Sequence, residues 1–282
     1  MASAPSIPKL GVALGQLNPH LHLEVTLEAE RLGFESVWLP EHLVFPVDMS
    51  GSPFPGADHP PVPPETPVFD AFGALCFLAG RTRRIRLGTH VYLLGLRHPF
   101  VSARAVQTLD WVSGGRAEVG VGAGWLEGEF RAAGIDFRSR GRRLDEAIGV
   151  CRRLWSEPEV EHRGEFFAFE KVCFEPKPVQ EGGPPLHVGG ESPAALRRAA
   201  SLGDGWLGLH HTPETAAPLV ERLHGLRGDR PPLVVSVGAS DPDPSELRRF
   251  AGIGVDRVIV SPWRRSRQAV EGLQRLAERA FG

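Results

Sequence analysis

The chain has 282 residues, of which 41% are hydrophobic, and its formal net charge at pH 7 is −2. This length allows either two small domains or one α/β barrel, which typically needs about 250 residues. The isoelectric point near 6.6 excludes the strong basic excess that is typical of proteins binding nucleic acids or anionic membranes.

The cysteines and the amino-terminal residues indicate the cellular compartment. Cys76, Cys151 and Cys173 are odd in number and form no C-x-x-C pair, which argues against a disulfide framework or a zinc knuckle. The first residues, MASAPSIPKL, lack the basic and apolar regions of a signal peptide. No stretch approaches the roughly 18 uninterrupted apolar residues of a membrane helix. We therefore expect a soluble, cytoplasmic protein.

The first half of the chain alternates short apolar stretches with helical ones. Strands are predicted over residues 10–17, 36–39, 84–94 and 117–124, and helices over residues 18–30, 68–79, 98–112 and 138–155. The second strand is followed by a proline-rich stretch over residues 45–67. An irregular segment of this length is either a functional lid or disordered, and the sequence leaves both interpretations open.

The second half continues the same alternation after one interruption. Aromatic residues alternate within 160–179, which predicts a small hairpin insertion. Strands are predicted over 186–188, 205–210, 233–237 and 257–260, and helices over 193–202, 213–226, 244–251 and 266–281. Eight strand–helix units with short, apolar strands predict a (β/α)8 TIM barrel as a single domain over residues 1–282. A doubly wound sheet is the alternative.

The fifth unit contains a glycine corner that could hold an anion. Gly189 and Gly190 follow the strand, and Ser192 and Pro193 are good residues for starting the next helix. Two glycines ahead of a well-capped helix amino terminus can bind a phosphate or a carboxylate. The simpler interpretation is a tight turn between a strand and a helix.

In a barrel of this class, the site lies at the carboxyl ends of the strands. The residues at those positions are Gln16, Glu41, His42, 90–92, 122–125, Gly189, Gly190, His210, His211 and 261–263. The chain lacks G-x-G-x-x-G, G-K-[ST] and G-x-S-x-G, which excludes the usual dinucleotide, NTPase and hydrolase signatures. We also expect no metal site, because His20 and His22 fall in a predicted helix and the last strand ends without a carboxylate.

Three features near the strand ends could carry chemistry. His42 can donate a hydrogen bond or move a proton near neutral pH, or it can simply hold the long loop. His90 interrupts the third strand, which is typical of a bulge at a site or of a strand leaving the barrel. Gly120, Gly122 and Gly124 leave room for a flat ligand or for close packing inside the barrel.

These segments resemble the luciferase-like monooxygenase superfamily, and within it the oxidoreductases that use the deazaflavin coenzyme F420. The resemblance lies in GFESVWLPEHL (33–43), RIRLGTHVYLLGLRHP (84–99), GGRAEVGVGAGWLEGEF (114–130), RGRRLDEAI (140–148), FEPKPVQEGGPPLHVGG (174–190) and ALRRAASLGDGW (195–206). It implies F420 as the cofactor, with FMN as the alternative, and a small-molecule substrate. A homodimer is the assembly that the resemblance suggests.

The resemblance also implies roles for particular residues. His42 would be the proton donor or ring partner at the reactive ring, and Glu41 would orient it. The bond between His90 and Val91 would be a non-proline cis peptide backing the ring. The other cofactor-binding residues would be Gly122, Ala123 and Gly124 along the ring, and Gly189, Gly190 and Glu191 at the phosphate. F420 implies hydride transfer, FMN implies a monooxygenase, and a non-catalytic ligand-binding relative is a third hypothesis.

Overall fold

The computed structural model describes residues 7–15, 17–52 and 62–282 of the chain. Gln16 and residues 53–61 of the proline-rich stretch lie outside this part, so the lid hypothesis for 45–67 stays open.

Eight parallel strands close into a barrel, which confirms the predicted fold. The barrel strands are β1 (Lys9–Ala13), β2 (Ser36–Leu39), β3 (Arg86–Thr89), β4 (Ala117–Val121), β7 (Leu186–Gly189), β8 (Gly205–His210), β9 (Val234–Ala239) and β10 (Arg257–Val260). Each strand pairs with the next in this series, and β10 pairs with β1. The predicted hairpin insertion is also present, as antiparallel β5 (Val160–Arg163) and β6 (Ala168–Val172).

The helices follow the strands and cover the outside of the barrel. They are α1 (His22–Leu32), α2 (Ala71–Ala79), α3 (Pro99–Ser113), α4 (Glu127–Ala132), α5 (Arg140–Ser156), α6 (Pro193–Leu202), α7 (Pro213–Arg227), α8 (Pro244–Gly252) and α9 (Ala269–Phe281). The predicted start of α6 is confirmed, because the Ser192 hydroxyl accepts a hydrogen bond from Ala195 N at 3.2 Å. In the described part of the chain, no helix is long and apolar enough to cross a membrane.

β1 ends at Ala13 and β4 ends at Val121, earlier than predicted, and two further differences bear on the site. The third strand ends at Thr89 instead of residue 94, because the chain leaves the ladder at His90 and returns only as an isolated bridge between Tyr92 and Val121. The short helix α4 was not predicted, since six residues that include Gly128 carry too little periodicity. Both differences lie at the carboxyl end of the barrel, which we call the mouth.

The barrel interior is filled by one large side chain above a group of charges. Trp38 is fully buried, and a Cβ at Gly88 would lie only 2.5 Å from its ring. Below it, near the amino ends of the strands, lies what we call the amino-end cluster: Glu35, Arg86, Glu118, His187 and Arg257. The interior is therefore closed below the mouth.

Candidate active site

His42 and a carboxylate from a distant segment form a pair at the mouth. His42 Nδ1 lies 2.9 Å from Glu129 Oε2. Glu129 comes from α4, is fully buried, and accepts the N–H of Leu43 at 2.5 Å through its other oxygen. Among the described residues, His42 Nε2 has no hydrogen-bond partner. The carboxylate therefore fixes the ring and leaves the second nitrogen free for a ligand.

Glu41 does not orient His42, which corrects the role implied by the resemblance. Its carboxylate accepts the N–H of Leu93 at 2.9 Å and forms an ion pair with Arg97. The Arg97 guanidinium also lies over the Tyr92 ring, 4.7 Å from its centroid. Glu41 therefore holds the segment after β3 in place. The side chain that faces Glu129 is that of the next residue, His42.

Aromatic side chains surround His42. The ring of Phe45 lies 4.6 Å from the His42 ring, and that of Trp125 lies 5.8 Å away at nearly a right angle. Gly128 in α4 has no side chain, and a Cβ there would lie 2.6 Å from Pro46 Cγ. The beginning of the proline-rich stretch therefore packs directly on His42 and α4.

The peptide bond between His90 and Val91 is cis, as the resemblance implied. The His90 ring meets the Trp38 ring edge-on at a centroid distance of 6.4 Å. Burial lowers the pKa of His90 to about 4, and the neighbouring His210 adds to this shift. His90 is therefore a neutral side chain at neutral pH, resting on the tryptophan that fills the barrel.

The glycines of β4 and β7 make room for Val91. A Cβ at Gly122 would lie 2.5 Å from Val91 Cγ2, and one at Gly189 would lie 2.7 Å from Val91 Cγ1. Gly120 is equally constrained, since a Cβ there would lie 1.9 Å from the Thr89 carbonyl oxygen. Of the two interpretations of the glycine row, the structure supports close packing for these positions. Val91, rather than the bare backbone, then forms the surface at this side of the mouth.

Ala123 and Gly124 continue from the end of β4 toward α4. Gly124 has a φ of +86°, and a Cβ there would lie 2.6 Å from the Phe130 ring. Its carbonyl accepts a hydrogen bond from Arg140 Nε at 3.2 Å. Glycine is required at 124 because the turn brings the backbone against α4, which carries Glu129.

The glycine corner after β7 has the geometry of a tight turn with free donors. Gly190 has a φ of +108°, its N–H donates to Leu207 O at 3.3 Å, and its carbonyl accepts Trp206 Nε1 at 2.9 Å. The N–H groups of Glu191 and Ser192 have no acceptor within the described residues. Two unpaired donors thus remain at the amino terminus of α6.

The Glu191 carboxylate turns away from these donors toward β8. Its Oε1 accepts the N–H of Leu209 and bonds to His211 Nε2, each at 2.8 Å. Burial alone would raise the pKa of Glu191, but the bonds from His211 and Leu209 outweigh it and lower the pKa. Glu191 is therefore an anion, and only its backbone is suited to a phosphate.

The structure brings most of the predicted site residues to the mouth, but their partners come from elsewhere in the chain. Glu129 and the pairing of Glu191 with His211 were not predicted. The GWLEGEF segment (124–130) gave the only sequence signal for Glu129. In the described part of the chain, no group of three or more histidines, cysteines or carboxylates is placed to hold a metal ion.

Comparison with known proteins gives the family. Residues 7–240 match the family model for luciferase-like monooxygenases. A Mycobacterium tuberculosis protein without an assigned function is 32% identical over 254 residues, which are 88% of this chain and 90% of that protein. An F420-dependent glucose-6-phosphate dehydrogenase of Kineococcus radiotolerans is 32% identical over 197 residues, 68% of this chain and 53% of that protein.

A solved structure has the same fold over nearly the whole chain. The monooxygenase RslO1 from Streptomyces bottropensis is 22% identical, with a TM-score of 0.74 over 97% of this chain and 98% of that one. The similarity in sequence and the barrel agree with the family match. The chain belongs to the luciferase-like monooxygenase family.

Proposed function

We propose that this protein is an F420-dependent oxidoreductase that transfers a hydride between the cofactor and a small organic substrate. The observation that carries the proposal is the pair of His42 and buried Glu129, which lie 2.9 Å apart. Transfer of a hydride to or from an alcohol or carbonyl group also moves one proton, and a histidine backed by a carboxylate is suited to that proton.

The residues at the mouth fit a cofactor with a flat ring and a phosphate. Val91 and the cis peptide before it offer a surface for the ring, next to the aromatic side chains of Phe45 and Trp125. The unpaired N–H groups of Glu191 and Ser192 fit the phosphate. Gly189 and Gly190 allow the backbone of the corner to lie close to β8. Ala123 and Gly124 connect β4 to α4, which carries Glu129.

Each residue then has a defined task. When bound, F420 supplies the hydride chemistry itself. His42 Nε2 accepts the proton of a substrate hydroxyl in oxidation and returns it to a carbonyl oxygen in reduction. Glu129 keeps the His42 ring in one orientation and stabilises its protonated form. Glu41 and Arg97 hold the segment that carries the cis peptide. The aromatic side chains of Phe45 and Trp125 limit the access of water to the reacting atoms.

The alternative is an FMN-dependent monooxygenase, which the family match and the similarity to RslO1 support. The relative from Kineococcus supports F420. We prefer F420 because the His42–Glu129 pair handles the proton that accompanies hydride transfer, and because the matching segments resemble that branch.

Cofactor binding is the direct test. The purified protein is titrated separately with oxidised F420 and with FMN, and binding is followed by fluorescence quenching and thermal shift. We expect F420 to bind with a Kd below about 100 μM, which corresponds to roughly 5.5 kcal/mol. Tighter binding of FMN than of F420 would favour the monooxygenase. Binding of neither cofactor would refute both forms of the proposal.

A variant separates catalysis from simple ligand binding. His42→Ala should keep F420 affinity within a few-fold and lose turnover with a panel of small alcohols and carbonyl compounds. If the wild-type protein binds F420 but exchanges no hydride with any of them, and His42→Ala preserves its cellular function, the protein is a non-catalytic relative.

A further inference from the structure

Glu191, His211 and Thr215 form a hydrogen-bonded chain beside the glycine corner. His211 Nε2 lies 2.8 Å from Glu191 Oε1, and His211 Nδ1 lies 3.1 Å from Thr215 Oγ1. The pair is largely shielded from solvent, with 8% of the His211 side chain and 15% of the Glu191 side chain exposed. Charges placed in this way are weakly screened by salt.

The bonds of Thr215 allow His211 Nδ1 to act either as a hydrogen-bond donor or as an acceptor. Thr215 Oγ1 accepts the N–H of Thr212 at 3.0 Å and lies 3.1 Å from the Thr212 carbonyl oxygen. Its single hydroxyl proton can point to that carbonyl or to His211 Nδ1, but not to both. Because His211 Nε2 donates to the Glu191 carboxylate, the ring is an imidazolium when Nδ1 donates to Thr215 and neutral when Nδ1 accepts from it. Both hydrogen-bonding roles of His211 Nδ1 are therefore compatible with the same positions of the heavy atoms.

Some charged groups around His211 favour its imidazolium form and others oppose it. Glu191, from the corner after β7, favours the imidazolium. His210 on β8 and the amino terminus of α7, which begins after Thr212, oppose it. Glu214 in the first turn of α7 is exposed and bonded to Arg249 of α8. On β9 the neighbour is the Gly238 carbonyl, which accepts the His211 backbone N–H at 2.9 Å.

Apart from His211, no basic side chain of the described residues bonds to the residues at the proposed phosphate position. Within the described residues, no arginine or lysine side chain bonds to residues 189–192. The Glu191 carboxylate belongs to the same corner, and it repels an anion unless His211 neutralises it.

We propose that His211 is the positioning residue that supplies positive charge at the phosphate end of the cofactor, and that phosphate binding takes up a proton on His211. This inference rests on the proposed function, because that function places the phosphate at the corner. With the imidazolium present, the pair with Glu191 is neutral and the two free N–H groups attract the phosphate. With neutral His211, the carboxylate charge is left beside the phosphate and the affinity falls.

The test compares the wild-type protein with His211→Gln, in which the neutral side-chain amide can still donate a hydrogen bond to Glu191. The Kd for F420 is measured for both at pH 6 and pH 8, and the ratio of the two values is taken at each pH. A change in the protonation of the cofactor affects both Kd values equally, so it cancels in this ratio. We expect the variant to bind about tenfold more weakly at pH 6, equivalent to about 1.4 kcal/mol, and nearly equally at pH 8.

Two further variants exclude a merely structural effect. Glu191→Gln keeps an acceptor for the Leu209 N–H but removes the charge, so we expect it to bind F420 more tightly than wild type at pH 8. A loss of packing would weaken binding instead. His224→Gln, at an exposed position of α7, should leave the affinity and its pH dependence unchanged.

A direct measurement uses sulfate, which mimics a phosphate without titrating near neutral pH. The ¹⁵N signals of the His211 ring should move toward the doubly protonated pattern when sulfate is added at pH 7. If neither F420 nor FMN binds but sulfate protonates His211, the proposed function fails, whereas proton uptake on His211 with an anion bound at the corner still stands. An equal Kd ratio at both pH values, or unchanged His211 signals with sulfate, overturns the inference.

Discussion

Two histidine–carboxylate pairs with similar N–O distances lie at opposite ends of the barrel. At the mouth, His42 Nδ1 lies 2.9 Å from Glu129 Oε2. In the amino-end cluster, His187 Nε2 lies 2.8 Å from Glu118 Oε2. In both pairs the carboxylate comes from a segment far from the histidine in sequence. The residue types and the distances alone would not tell the two pairs apart.

The difference lies in access and in the surrounding charges. The side chains of His187 and Glu118 are only 1% and 5% exposed, and Arg257 and Arg86 also contact Glu118. Burial alone would raise the pKa of Glu118, but His187 and the arginines lower it below its ordinary range. At the mouth, 17% of the His42 side chain is exposed, and no residue that the structure describes bonds to Nε2. The pair in the amino-end cluster is closed off from ligands, whereas the pair at the mouth is open to one.

The largest expected effect comes from breaking the pair at the mouth. Glu129→Gln should lower kcat about 10²–10⁴-fold, because the amide no longer stabilises a protonated His42. His42→Ala should cost a similar factor, and the double variant little more, since the two residues act as one unit. The measurement is the steady-state rate of F420 reduction or oxidation with the best substrate found.

The matched control for Glu129→Gln lies on the same short helix. Glu127 is exposed, so Glu127→Gln should keep the wild-type rate. If both variants lost activity equally, the effect would come from α4 as a whole and not from the pair.

The second effect tests the amino-end cluster. Glu118→Ala should reduce the free energy of unfolding by about 3–5 kcal/mol, because Arg257 is left buried without one of its carboxylates. Urea denaturation measures this change, and F420 affinity of the folded variant should stay near that of wild type. Glu170→Ala is the control: its pair with Arg163 is 84% and 80% exposed, so a change within about 0.5 kcal/mol is expected. Equal losses in the two variants would contradict the structural role of the cluster.

The smallest effect concerns His90, whose ring meets the Trp38 ring edge-on. Its pKa is lowered to about 4, whereas an unfolded chain protonates histidine near pH 6.5. Between these values the unfolded state binds the additional proton, so stability falls as the pH decreases. We expect His90 to account for about 2 kcal/mol of the loss between pH 7 and pH 5.

The measurement compares urea unfolding of the wild-type protein and His90→Gln at both pH values. The variant should lose about 2 kcal/mol less than the wild type over this interval. Parallel pH profiles of the wild-type protein and the variant would show that His90 takes up a proton equally readily in the folded and unfolded states.

The regular elements could be predicted because their signals are local. Ser36–Leu39, Gly205–His210 and Arg257–Val260 were predicted at their observed limits, since each is a short apolar run between clear turn residues. The third strand was predicted too long, because Tyr92 and Leu93 continue its apolar character while the backbone has already turned at the cis peptide.

The candidate site was predicted only in outline. The strand-end rule placed His42, His90 and the glycine corner at the mouth, as observed. The adjacent Glu41 was given the role that belongs to Glu129, because sequence reasoning pairs neighbours more readily than residues 87 positions apart.

The sequence by itself therefore predicted the eight strand–helix units, the closed barrel and the edge at which the candidate site lies. Periodicity, glycines and helix caps act over a few residues, and they are readable in one dimension. Only the tertiary structure decided which carboxylate meets which histidine, and that Val91 occupies the space left by Gly122 and Gly189. Those contacts depend on the register of strands and the direction of side chains across the closed barrel, which no local pattern specifies.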